Sequence, residues 1–150
     1  MMLDALNQLS AAQAVTTTAV STNTIDLGVA RDLGPGRSLF LVWGVDETVT
    51  AAGAATVTFQ AITSAAAALT SPSVVSQTDA IGKAELTAGR KLFAQRIDPA
   101  ILAAQPNGQR YLGAQYTVAT GPLTAGKFTC YVTDHLPPGF EYYASGFSVA

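Results

Sequence analysis

YLGAQYTVATGPLTAGKFTCYVT, residues Tyr111–Thr133, decides how this chain is to be read. Leu112, Ala114, Tyr116 and Val118 recur at every second position, as do Phe128, Cys130 and Val132 after the break. Period-two alternation places each set on one face of a β-strand. The expected strands are Tyr111–Val118 and Lys127–Thr133. Between them, ATGPLTAGKF (Ala119–Phe128) supplies turn chemistry at Gly121-Pro122 and Ala125-Gly126. It carries one charge, Lys127, where a connection between strands usually advertises itself with several. Leu123 is the apolar residue of this loop and the expected contact with a neighbouring subunit.

The same pattern extends outward from that hairpin. Further strands are expected near Val15–Val20, Thr24–Leu27, Ser38–Val45, Thr56–Thr63, Val74–Gln77 and Lys91–Ile97. Leu39, Leu41, Trp43 and Val45 share one face of their strand, with Phe40 and Val42 on the other, which predicts cover on both sides. Val57, Phe59 and Ala61 form a weaker set. About eight short strands separated by Gly, Pro and Asp argue for an all-β sandwich or barrel, of which the jelly roll is the usual eight-stranded form. The Ala-rich run Ala65–Leu69 has helix propensity but no amphipathic stripe, so it is expected to be a loop or one helical turn. Leu3, Leu6 and Leu9 repeat at three-residue spacing, and Leu3–Ala14 is the only segment with a helical pattern, too short for stability alone. The expected organisation is an N-terminal arm over residues 1–14 and a jelly-roll domain over 15–150.

Charge is the most informative aspect of composition. Hydrophobic residues make up 49 % of the 150, but charged residues only 12 %. Soluble domains average about 25 % charged. Ten acids against eight bases leave a net charge of −2, with neither a basic footprint for nucleic acid nor a strong acidic field. A surface rich in Thr, Ser and Gln loses little when another protein covers it, whereas buried unpaired charge is costly. The composition therefore points to a protein that works inside an assembly, the alternative being a Thr-rich β-domain that simply tolerates low charge.

Chemistry-bearing residues are scarce. Cys130, the one cysteine, lies on the inward face of its strand and is expected to be a small core hydrophobe. His135, the one histidine, follows Asp134 into a turn, where adjacent side chains diverge, and is expected to be exposed. There are no paired carboxylates, no nucleophile–base order, no metal-ligand motif and no phosphate-binding loop. Neither an enzyme nor a cofactor is expected. No basic residue precedes Arg31, so the start lacks the positive region of a secretory signal. The long uncharged run Thr48–Thr78 is too rich in Thr, Ser, Gln and Gly to span a bilayer. Aromatics gather instead near the end, at Tyr142, Tyr143 and Phe147, as a last strand, an interface anchor or both.

Five blocks taken together resemble a known family. IDLGVARDLGPG (Ile25–Gly36), TAAGAATVTFQ (Thr50–Gln60), LTSP (Leu69–Pro72), RYLGAQYTVATGPLTAG (Arg110–Gly126) and YYASGFSV (Tyr142–Val149) are similar, in order and spacing, to the capsid cement proteins of short-tailed bacteriophages. The namesake of that family is the cement protein of a Bordetella phage. The resemblance covers almost the whole chain, although Ala65–Ala68 and Asp98–Asn107 depart from the pattern. It implies a jelly-roll protein on the outside of an icosahedral shell built from HK97-like major capsid subunits. There it would staple capsomers against the pressure of packaged DNA, without catalysis. It also implies self-association, as dimers or, in related decoration proteins, trimers. The interface residues expected on this reading are Leu3, Leu6 and Leu9 of the arm, Leu123, and Tyr142, Tyr143 and Phe147. Two rival readings are a carbohydrate-binding jelly-roll module stacking sugars on Trp43, Tyr142 and Tyr143, and a small hydrolase dependent on His135.

Overall fold

A computed structural model describes residues 4–28, 39–89, 91–97 and 109–136, the backbone alone for 91–93. Among the described residues, ten strands run in the order β1 (Gln8–Ala14), β2 (Ala19–Val20), β3 (Ile25–Asp26), β4 (Leu39–Thr50), β5 (Thr56–Ser64), β6 (Ser73–Gln77), β7 (Ile81–Gly82), β8 (Lys91–Ile97), β9 (Tyr111–Ala119) and β10 (Ala125–Thr133). They form two antiparallel sheets. The first has the order β1-β10-β4-β8; the second has the order β2-β9-β5-β6, with β3 also on β9 and β7 also on β5. Because β2 and β3 share one neighbour, and β6 and β7 another, there are eight strand positions. Numbered along the chain, they lie in the orders 1-8-3-6 and 2-7-4-5, the arrangement of a jelly roll. The all-β sandwich expected from alternation is the fold observed.

Each alternating set points inward. Leu41, Trp43 and Val45 from β4, Phe128, Cys130 and Val132 from β10, Val57, Phe59 and Ala61 from β5, and Leu112, Ala114 and Tyr116 from β9 are all buried in one core. Four rings meet at its centre. Phe59 presents its edge to Phe128 at 5.2 Å and to Tyr116 at 5.8 Å, Tyr116 stacks on Phe128 at 5.3 Å, and Trp43 meets Phe59 edge-on at 6.0 Å. Such pairs add about 0.5–1.5 kcal/mol each beyond area burial. Val42 is also buried, on the opposite face of β4, in register with the buried Tyr131 of β10. The expectation that this strand is covered on both sides therefore holds.

The beginning of the chain differs from expectation. Leu3–Ala14 is not helical: Ala5–Asn7 makes one 3-10 turn, capped by the Asp4 carboxylate accepting from the Leu6 N–H at 3.0 Å. Gln8–Ala14 is an edge strand paired with β10, not part of an arm over 1–14, and residues 15–18 lie between β1 and β2 rather than in a strand. Tertiary pairing overrides the local leucine spacing here, because Leu9 and Val15 both complete the core. A polar chain fixes the strand as well. The Tyr116 hydroxyl donates to Ser10 Oγ at 2.9 Å, which donates to Gln13 Oε1 at 2.7 Å; Gln13 Nε2 then donates to the Val20 carbonyl at 2.8 Å. This clasp ties β1 to β2 across one side of the sandwich. Ser76 of β6 donates to Gln95 of β8 across the other.

The segment after β5 is a turn, as expected of its missing amphipathic stripe, but it is fastened down. Ser64 Oγ donates to the Thr70 carbonyl at 2.8 Å and accepts from the Ala66 N–H at 3.1 Å. Leu69, held at φ 52°, is buried on the outside of the second sheet above Gly113, whose partner in register is Ile62.

Candidate interaction surface

The expected contact residues fall into three groups. Leu9 is fully buried and Leu123 nearly so, both inside their own core, and neither is available to a partner. The expectation of an outward Leu123 rests on a loop whose turn residues read as an exposed connection. The loop instead closes one end of the sandwich: the Leu123 N–H donates to the Thr16 carbonyl at 2.8 Å, and the Thr124 and Thr50 hydroxyls bond at 2.7 Å. Leu6 is 83 % exposed on the capped 3-10 turn, at the rim of a shallow depression lined by Gln8, Thr22, Asn23 and Thr24. Leu3, Tyr142, Tyr143 and Phe147 lie outside the described residues.

Residues weighed for chemistry are dispersed. Cys130 is buried, as expected of its face, and burial pushes its thiol up, away from the reactive thiolate. The His135 side chain is 94 % exposed, 3.9 Å from Asp134, at the end of β10. Among the described residues, no three His, Cys, Asp or Glu side chains are grouped to hold a metal ion. Trp43 sits in the core and presents no face to a sugar.

The two outer faces of the sandwich differ in charge. On the first sheet, the Asp46 carboxylate accepts from Thr129 Oγ1 at 2.6 Å, Arg96 projects beside Phe40, and Lys127 pairs with Glu47 at 2.8 Å. The Glu47 carboxylate raises the Lys127 ammonium pKa through its hydrogen bond. On the second sheet, alternation turns Thr56, Thr58 and Gln60 of β5 outward, opposite Ala119, Thr117 and Gln115 of β9. Val74 and Gln77 of β6 join them, Val74 being 41 % exposed. None of these is ionisable. Their polar groups are partly paired among themselves: Thr117 Oγ1 donates to Gln60 Oε1 at 2.8 Å, and Gln60 Nε2 donates to Gln77 Oε1 at 2.7 Å. Charge lies at the edges of the sheet: Asp79 follows β6, Lys83 follows β7, and Arg110 grips Asp26 through two bonds of 2.6 Å and lies over the Tyr111 ring at 5.2 Å. That guanidinium holds the Asp26 carboxyl at about 2, with help from the Gly28 N–H. The neutral face had a signal in the sequence, since its residues alternate with the core set Val57, Phe59, Ala61, Ala114 and Tyr116.

Residues 9–132 match the model of the Bbp16 family, from Leu9, the first core residue of β1, to Val132, the last of β10. This chain is a member of the Bbp16 family. The family is named for a Bordetella phage protein, so the chain belongs to a phage-related group. No curated protein matches the chain. The Bbp16 match takes in both sheets, including the neutral face and the clasp on β1.

Proposed function

We propose that this Bbp16-family jelly roll is a non-enzymatic capsid cement protein. It binds the outer surface of a shell of HK97-like major capsid subunits, assembles with copies of itself as dimers or trimers, and stabilises the head against the pressure of packaged DNA. The observation that carries this reading is the face of Thr and Gln on the second sheet, where, among the described residues, Thr56, Thr58, Gln60, Gln115 and Thr117 of β5 and β9 bring no ionisable group. Covering such a face costs little in desolvation, because no charge must be stripped of water. Many copies, each bound modestly, then give strong retention. Made in the host cytoplasm, the protein would end on the virion exterior, without direct contact with DNA, consistent with its net charge of −2. The test is retention of purified protein on expanded capsids, together with the heat and chelator resistance of virions lacking it. Failure to bind, with virions equally resistant, would refute the role. The rival sugar-binding reading loses Trp43, which is buried.

A further inference from the structure

We infer that residues 137–150 fold back across the outer face of the first sheet of their own chain, seating Glu141 on Arg96. Phe40 and Val42 of β4 and Tyr131 of β10 point outward on that face, away from the core set. Outward positions of a sandwich normally meet water, yet Val42 is only 2 % and Tyr131 8 % exposed. Burial also pushes the Tyr131 phenol up. Besides neighbouring strands, the described elements packed closely on β4 and β10 are two short 3-10 turns, Ala5–Asn7 and Lys83–Glu85. The first runs into Gln8 at the sheet edge and leaves Leu6 exposed; the second meets β4 at its far end, through Leu86 and Val49. The cover over Val42 and Tyr131 therefore calls for a further segment. Arg96 projects beside Phe40, exposed, and among the described residues no carboxylate pairs with it. The chain beyond Leu136 reads PPGFEYYASGFSVA, rich in aromatics and with one charged side chain, Glu141. It starts where β10 ends, and Thr133, Phe40 and Arg96 lie in register across β10, β4 and β8. Crossing two strand spacings takes about 10 Å, and the five residues from Leu136 to Glu141 span up to about 17 Å. Glu141 is thus within reach of Arg96, and Phe140, Tyr142 and Tyr143 are within reach of Phe40, Val42 and Tyr131. A short tether also gives this segment a high effective concentration over its own sheet, which favours it over a segment of another chain. Asp46, Glu47 and Lys127 lie toward the other end of β4 and β10 and stay clear of it.

The test is nitration of tyrosines in the full chain by tetranitromethane, read residue by residue in peptide masses, for wild type, Glu141→Arg and the charge swap Arg96→Glu/Glu141→Arg. Tyr116, in the core, should resist in all three, and the half-buried Tyr111 should react alike in all three. Tyr131 should react slowly in wild type. Losing an exposed ion pair to repulsion should speed its nitration by about threefold or more in Glu141→Arg, and the swap should restore protection. Tyr131 reacting at one rate in all three proteins, or a swap that restores nothing, would overturn the inference. A second full-chain variant, Arg96→Cys/Glu141→Cys, fixes which chain supplies the cover. Mild oxidation should link positions 96 and 141 within one chain, leaving the mass on a non-reducing denaturing gel at the 15.4 kDa of one chain. A link between chains would assign the cover to another copy, and no link at all would remove the segment from this face; either outcome overturns the inference. None of these readouts depends on the cement role, which capsid retention tests separately.

Discussion

Gly113 and Leu69 show how one missing side chain organises part of the surface. A Cβ on Gly113 would stand 2.3 Å from Leu69 Cδ1 and 3.2 Å from Ser21 Oγ. The second of these atoms already accepts from the Ala114 N–H at 3.1 Å and so cannot retreat freely. Gly113→Ala should therefore lift Leu69 from the sheet and lower stability by about 1–3 kcal/mol in urea unfolding, as overpacking does. Unfolding at the wild-type midpoint would show that the 65–72 turn yields without cost. Nothing local marked this glycine, because a Gly inside an alternating strand reads as an ordinary weak position, and its partner comes from a distant loop. Thr63 offers the opposite sign. Its hydroxyl is buried with no hydrogen-bond partner among the described residues. Thr63→Val removes an unsatisfied group at nearly constant shape, and the protein should become more stable by up to about 1 kcal/mol.

Among the elements, β1 bears the sharpest consequence. Removing residues 1–7 takes away the 3-10 turn and exposed Leu6 but leaves the strand, so the melting temperature should change little. Removing residues 1–10 also takes Leu9 from the core and Ser10 from the Tyr116 hydroxyl. Loss of Leu9 packing alone should cost about 2–5 kcal/mol, as Leu9→Ala would show by denaturant titration. A deletion through residue 10 that melts like wild type would return β1 to the status of a detachable arm. The strands β4, β5, β9 and β10 were legible in the sequence because each shows one apolar face, and alternation is a local signal. β1 was not, because its inward residues include Ser10, while Leu3, Leu6 and Leu9 mimic a helix. Its identity depends on Tyr116 and β10, more than a hundred residues away. The edge pair Asp26–Arg110 adds a pH signature. Asp26 titrates at about 2 in the folded chain against an ordinary 3.8, so its contribution is complete above pH 3.8 and disappears as pH falls through about 2. Asp26→Asn should flatten that part of the acid unfolding curve, modestly, since the pair is exposed and screened. An unchanged curve would mean that the two bonds add nothing in solution.

For the whole molecule, the distribution of charge matters more than its total. Composition already showed the shortage, 12 % of residues, but not where the remaining charges sit. That depends on which sheet faces which way, and so on strand order, which alternation within single strands does not encode. Among the described residues, folding gathers Asp46, Glu47, Arg96 and Lys127 on or beside one outer face, while the middle of the other is Thr and Gln, with Asp26, Asp79, Lys83 and Arg110 at its edges. An attachment made through the neutral face should then respond weakly to salt, because mobile ions screen charges and there are none in the contact to screen. Capsid retention, measured by sedimentation from about 0.05 to 1 M NaCl, should change less than about threefold, where screening shrinks the Debye length from above 10 Å to about 3 Å. Dissociation rising steeply with salt would place the working surface on the charged sheet instead.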